Sequence, residues 1–174
     1  MEAIFFHDED KVYGCFSNWY PCSFTVDGIA YASAEQYMMR SKAILFGDAE
    51  TAEKIMATDD VAEIKALGRA AHGFDQATWR AVRASVVERG VLEKFLQNPD
   101  LAGVLLSTGD AVLAEAAAGD RVWGIGLGMQ SSEKEDISRW RGENLLGQCL
   151  MNVRCALRTM SGYGCGIGEE GHSE

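Results

Sequence analysis

The sequence predicts a single α+β domain, mostly helical and packed around a small β-sheet. Three observations lead there. Strand-like apolar runs are confined to the first thirty residues and to the region after residue 110. Helical periodicity with cap residues dominates from 33 to 106 and returns from 144. No Pro/Ser linker, low-complexity run or internal repeat divides the 174 residues, of which 47% are hydrophobic and 24% charged. A chain of this size buries most of its apolar surface in one core. The domain is expected to cover 1–160, and the Gly- and Glu-rich stretch 161–174 to form a disordered tail.

The elements follow in order. Phe24-Thr25-Val26 and Ile29-Ala30-Tyr31 flank Asp27-Gly28, the signal for a hairpin whose two turn residues both have positive φ. Residues 16–20 precede Pro21 and read as a turn. Ser33 and Gln36 form a capping-box pattern, opening a helix that passes through Lys42 to Phe46 and ends at Gly47. Asp48 and Asp60 cap helices around 49–57 and 61–70. A longer helix follows from Gln76 to Gln97, with Trp79, Val82, Val86 and Val87 near one face. Asn98-Pro99 reads as a cap and first turn of a short helix to Leu106. Residues 111–116 read as a strand, 122–127 as a strand or extended loop, and 129–140 as a flexible polar segment. The last helix starts near Asn144 and buries Leu146, Leu150, Val153 and Leu157.

Composition excludes several functions. No apolar stretch approaches the roughly 20 residues that span a bilayer. The N-terminus lacks the basic start of a signal peptide, so a cytoplasmic location and no membrane partner are expected. Five cysteines without a C-x-x-C pair and three scattered histidines suggest neither a disulfide framework nor a metal site. Cys149, inside an apolar helical pattern, reads as a small buried thiol. A net charge of −10 argues against broad capture of nucleic acid, leaving it only the place of a modified substrate. A small phosphorylated ligand suits this chain better.

Several residues stand where chemistry is usually built. Glu35 lies in the first turn of a helix, where a carboxylate either merely stabilises the helix or serves a site. Lys42 follows seven residues later on the same face, and Asn18-Trp19 occupies a turn ahead of the hairpin. Asp120 is either a turn residue or an acid, and it precedes Trp123-Gly124-Ile125-Gly126. There an indole offers a stacking face and the glycines allow close backbone approach. That Gly-x-Gly lacks the context of a dinucleotide fingerprint. Trp79 is a core residue by its spacing, and Asn144 an N-cap by its position. Lys65 and Arg69, four apart on one helix face, are either solvated or hold a phosphate.

The blocks Gly14 to Pro21, Ser33-Ala34-Glu35-Gln36-Tyr37, Asp120-Arg121-Val122-Trp123-Gly124 and Trp140 to Gly147 recur with Lys65 to Arg69 and Leu150 to Arg154 in the order of a known family. From about Phe5 to Leu157 the chain resembles the NADAR (YbiA-like) family. The resemblance implies an α+β domain without metal or organic cofactor that cleaves N-glycosidic bonds of ribosyl compounds. It implies that Glu35 is the catalytic carboxylate, that Trp79 and Asp120 take part in activity, and that Asn18, Lys42, Trp123, Gly124 and Asn144 line the pocket. Within that scheme Trp19 joins the aromatic wall and Arg69 the phosphate site. The expected substrate is a phosphorylated ribosyl compound: a ribosylamino-pyrimidine intermediate of riboflavin synthesis, or ADP-ribose on a guanine base. The alternative is a non-catalytic ADP-ribose- or NAD-binding module. One departure is plain: where the family shows Glu-Ala-Ser-Pro, this chain has Glu115-Ala116-Ala117-Ala118.

Overall fold

A computed structural model describes residues 3–164, and within them six α-helices surround two short strand pairs. The strands β1 (Ala3–Phe6) and β4 (Val112–Glu115) pair in parallel, from Ala3 opposite Val112 to Phe6 opposite Glu115. Between them in sequence, β2 (Phe24–Val26) and β3 (Ile29–Tyr31) form an antiparallel hairpin. Its turn residues Asp27 and Gly28 have φ of 51° and 77°, the conformation that a two-residue hairpin loop requires.

The helices are α1 (Ala34–Leu45), α2 (Ala49–Met56), α3 (Val61–Ala70), α4 (Gln76–Gln97), α5 (Pro99–Ser107) and α6 (Leu145–Gly164). Their starts follow from local chemistry. Ser33 Oγ accepts from Gln36 N, Asp48 Oδ1 from Thr51 N, Asp60 Oδ1 from Ala62 N and Glu63 N, and Asp75 Oδ2 from Thr78 N. Gln36 departs from a simple capping box. Its Oε1 accepts from Ala32 N, while its Nε2 donates to Ile55 O and Thr58 O and ties α1 to the end of α2. Asn98 does not cap α5; its Nδ2 donates to Lys94 O and Ser23 O, closing α4 instead.

The main core gathers Met38 and Met39 from α1, Val87, Val91 and Phe95 from α4, and Leu146, Leu150 and Val153 from α6. Phe16 meets Phe6 edge-on at 5.6 Å between ring centroids. Each such buried apolar side chain contributes about 1.5–3 kcal/mol relative to exposure. Cys149 is buried here, as its pattern predicted. Arg154 is also buried, donating to Thr108 Oγ1 and Ala111 O at the approach to β4.

Of the two readings of residues 122–127, strand or extended loop, the loop is the one present; Ile125 N donates to Glu115 O and Arg141 N to Ile125 O, sewing it to β4. The polar stretch 129–140 contains two 3-10 turns and is anchored by Trp140, whose Nε1 donates to Lys134 O at 2.7 Å. Helix α6 reaches Gly164, and the rest of the expected tail lies outside the described residues. Among the described residues, no helix is long and apolar enough to cross a membrane.

Candidate active site

Both strands of the parallel pair end on the same side, and a cavity of about 500 Å³ opens there. After β1 come His7, Asp8 and Glu9; after β4 come Ala117, Ala118, Gly119 and Asp120, and all of them line it. Ser17 and Trp19 add the wall formed by the turn before the hairpin, while α3 contributes Lys65 and Arg69. Glu115, the last residue of β4, also lines this space. Siting at the carboxyl ends of parallel strands follows the general habit of such folds.

The backbone under Glu115 is held from both sides. Its N–H donates to Asn144 Oδ1 at 3.1 Å, and Asn144 Nδ2 donates to Leu113 O at 2.9 Å. The buried Asn144 amide therefore serves β4 as a surrogate neighbouring strand. Gly147 permits this closeness, since a Cβ there would stand 2.1 Å from Leu113 O. On the carbonyl side, Glu115 O accepts from Ala117 N and Ile125 N. Gly124 serves the same loop, because a Cβ on it would meet Glu115 O at 2.8 Å.

Glu35, only 3% exposed at the start of α1, does not line the cavity but interacts electrostatically with Lys65, Asp120 and Arg69, which do. Its backbone N–H donates to Asn18 O at 2.8 Å, locking the Trp19 turn to the helix. Among the described residues, Glu35 Oε1, Asn18 Oδ1 and Glu115 Oε2 are buried without a hydrogen-bond partner. Buried polar atoms are nearly always paired, and of these three bare acceptors Glu115 Oε2 belongs to a residue that lines the cavity.

The charges sort the carboxyls. Burial raises the Glu35 pKa from 4.5 to about 7; Lys65 opposes the rise most, Asp120 adds to it, and Arg69 and Lys42 oppose it. Burial also raises Glu115, to about 8, with Asp120 and Glu35 adding and Lys65 opposing. Glu35 thus answers to three cations and one carboxyl, whereas Glu115 answers to two carboxyls and one cation. Asp120 is fixed differently: its Oδ1 accepts from both Val122 N and Trp123 N at 2.8 Å, leaving Oδ2 for a ligand. The Lys65 ammonium stands 5.1 Å from the centroid of the Trp19 ring, within cation–π range.

Of the residues singled out in the sequence, Trp19, Arg69 and Asp120 line the cavity; Glu35 and Asn18 do not line it and are joined to each other through the backbone. Others are engaged elsewhere. Lys42 Nζ donates to Gly68 O at 2.8 Å and lies over the Phe74 ring, joining α1 to α3. Trp79 is 7% exposed in the main core, so its spacing with Val82 and Val86 described packing. Trp123 packs against that core too, and only its backbone N–H reaches Asp120. Asn144 and Gly124 support β4 and its loop and do not line the cavity. Sequence reasoning missed the carboxyl of Glu115, although it closes an apolar strand and keeps the Glu of the family's Glu-Ala-Ser-Pro block. The Ala117-Ala118 departure falls on the cavity wall itself. Among the described residues, no group of His, Cys, Asp and Glu is arranged to hold a metal ion.

The family model for the NADAR domain matches residues 4–158. An N-glycosidase of Acanthamoeba polyphaga mimivirus is 41% identical over 159 residues, covering 87% of this chain and 94% of that protein. A riboflavin biosynthesis protein of Vibrio vulnificus is 35% identical over 93% of this chain, which corresponds to 40% of that longer protein. The NMR structure of the Escherichia coli protein YbiA is similar with a TM-score of 0.77 and 26% identity, over 98% of this chain and 92% of YbiA.

Proposed function

The chain belongs to the NADAR domain family, and on that premise we propose that it is an N-glycosidase acting on a small phosphorylated ribosyl compound. The observation that carries this reading is Glu35: a buried carboxyl with a bare oxygen, interacting electrostatically with Lys65 and Arg69 of the cavity rim. Hydrolysis at the anomeric carbon of ribose passes through an oxocarbenium-like transition state. A fixed carboxylate stabilises that cation more than the neutral substrate. Glu35 takes this role, its charged form supported by Lys65, Arg69 and Lys42.

The remaining groups suit the same substrate. Lys65 and Arg69 hold the 5′-phosphate, Trp19 walls the sugar or base, and Asp120 Oδ2 with Asn18 Oδ1 accepts from ribose hydroxyls or the attacking water. A cavity of about 500 Å³ accommodates a ribosyl phosphate with its base. Asp8, Glu9 and Asp120 give the rim an acidic character that disfavours a long polyanion. Of the two expected substrates, the ribosylamino-pyrimidine phosphate is therefore preferred over ADP-ribose on a nucleic acid. The similarity to a riboflavin biosynthesis protein favours it as well.

The test is mass spectrometry after incubation with that phosphate, ADP-ribosylated guanosine and NAD, with Glu35→Gln as control. Wild-type protein should release a free base, and the variant should lose at least about 100-fold in rate. ADP-ribose binding without release of base from any compound would replace this reading with a binding module.

A further inference from the structure

An exocyclic amine is a poor leaving group, so the proposed reaction needs a proton donor, and neither Glu35 nor Asp120 is built for it. At Glu35, Lys65, Arg69 and Lys42 oppose the rise that burial and Asp120 impose, so it gives up its proton more readily than a carboxyl with fewer cations beside it. Asp120 has one oxygen committed to two backbone N–H groups. We propose that Glu115 is the catalytic acid, a third carboxyl that protonates the departing nitrogen from the end of β4. This assignment rests on the N-glycosidase reading and names the residue that completes it.

Three features support it. Glu115 lines the cavity, and its Oε2 is buried with no hydrogen-bond partner in the fold. Its backbone is clamped by β1, by the Asn144 amide and by the 122–127 loop, which fixes the origin of the side chain. The charged groups around it are Asp120 beyond β4, Glu35 on α1, Lys65 and Arg69 on α3, and Asp8 and Glu9 beyond β1, with His7 on the same rim. Carboxyls predominate in that set, and crowded carboxyls with burial favour the neutral acid. Burial raises both Glu35 and Glu115, but Lys65, Arg69 and Lys42 oppose the rise at Glu35 whereas Lys65 alone opposes it at Glu115, which makes Glu115 the better holder of a proton.

The step balances as follows. The Glu115 O–H bond breaks as its proton passes to the leaving nitrogen, and the electron pair of the C1′–N bond stays with that nitrogen. Water adds to the oxocarbenium carbon, and its surplus proton is taken up by the carboxylates, restoring Glu115 to its acid form. The products are ribose phosphate and the free amine.

The experiment compares Glu115→Gln with wild-type protein on two leaving groups. One is the ribosylamino-pyrimidine phosphate; the other is nicotinamide mononucleotide, whose base departs neutral and needs no proton. Glu115→Gln should lose about 100-fold or more in kcat on the amine, with KM nearly unchanged, and less than about tenfold on the nicotinamide compound. Equal losses on both, or full activity on the amine, would overturn the assignment. Should the variant fail to fold, the wild-type pH profile decides. The amine reaction should decline as pH rises through about 8, and the nicotinamide reaction should lack that limb. The same limb in both reactions overturns the role. Wild-type protein that cleaves neither compound removes the N-glycosidase reading itself, a result distinct from any confined to the variant.

Discussion

Replacing Glu35 by Gln should make the protein more stable at pH 8 while abolishing its activity. The carboxyl moves from an ordinary 4.5 in the unfolded chain to about 7 in the native protein, because burial disfavours its charge. Below pH 4.5 the group is protonated in both states and costs nothing. Between 4.5 and 7 the unfolded chain sheds its proton while the native protein keeps it, so stability falls as pH rises. Above 7 the penalty is complete, about 3 kcal/mol at 1.36 kcal/mol per unit. The amide brings its own desolvation cost, leaving an expected gain of about 1–3 kcal/mol for Glu35→Gln at pH 8. At pH 5 the variant and wild type should differ by less than about 1 kcal/mol. Urea unfolding at both pH values, read by far-UV circular dichroism, measures the difference. A variant that is equally or less stable than wild type at pH 8, with no change in the gap between pH 5 and 8, would refute a buried, charge-strained Glu35.

Two further predictions concern its neighbours. Lys65→Met removes the strongest charge opposing the rise of Glu35, so the acid limb of the rate profile, set by ionisation of Glu35, should move to higher pH. The same variant should raise KM about tenfold or more for a phosphorylated substrate but little for its dephosphorylated analogue, since a desolvated charge-assisted contact is worth about 1.5–3 kcal/mol. Asn144→Ala strips β4 of both bonds on its open edge and should cost about 2–4 kcal/mol in denaturant unfolding, given about 1–3 kcal/mol per buried group left unpaired.

The local half of this molecule was legible in its residues. Ser33, Asp48, Asp60 and Asp75 stop and start helices through bonds to N–H groups two or three residues away. Asp27-Gly28 turns the hairpin for the same kind of reason: its backbone preferences act within four residues. The stripe of Leu146, Leu150, Val153 and Leu157 announced the buried face of α6. The motif blocks likewise led to the family, to Trp19, Arg69 and Asp120 on one cavity, and to Glu35, which interacts with the last two.

Other residues depended on partners that sequence distance hides. Asn144 suits an N-cap by position, yet its φ of 53° and its bonds to Leu113 and Glu115 make it a clamp on a strand about thirty residues earlier. Lys42 belongs to a suggestive block, but its ammonium donates to Gly68 O on α3. Trp79 has the spacing of a core residue and is one, despite its motif. Glu115 gained its importance only because the parallel pairing of β1 with β4 brings both strand ends to one cavity, beside Asp120 and the face of α3. Caps, turns and apolar stripes are short-range and were determined by the sequence alone. Which carboxyls stand together, and which cations answer them, was decided by tertiary packing, because burial and Coulomb interactions act between groups that only the folded chain brings near.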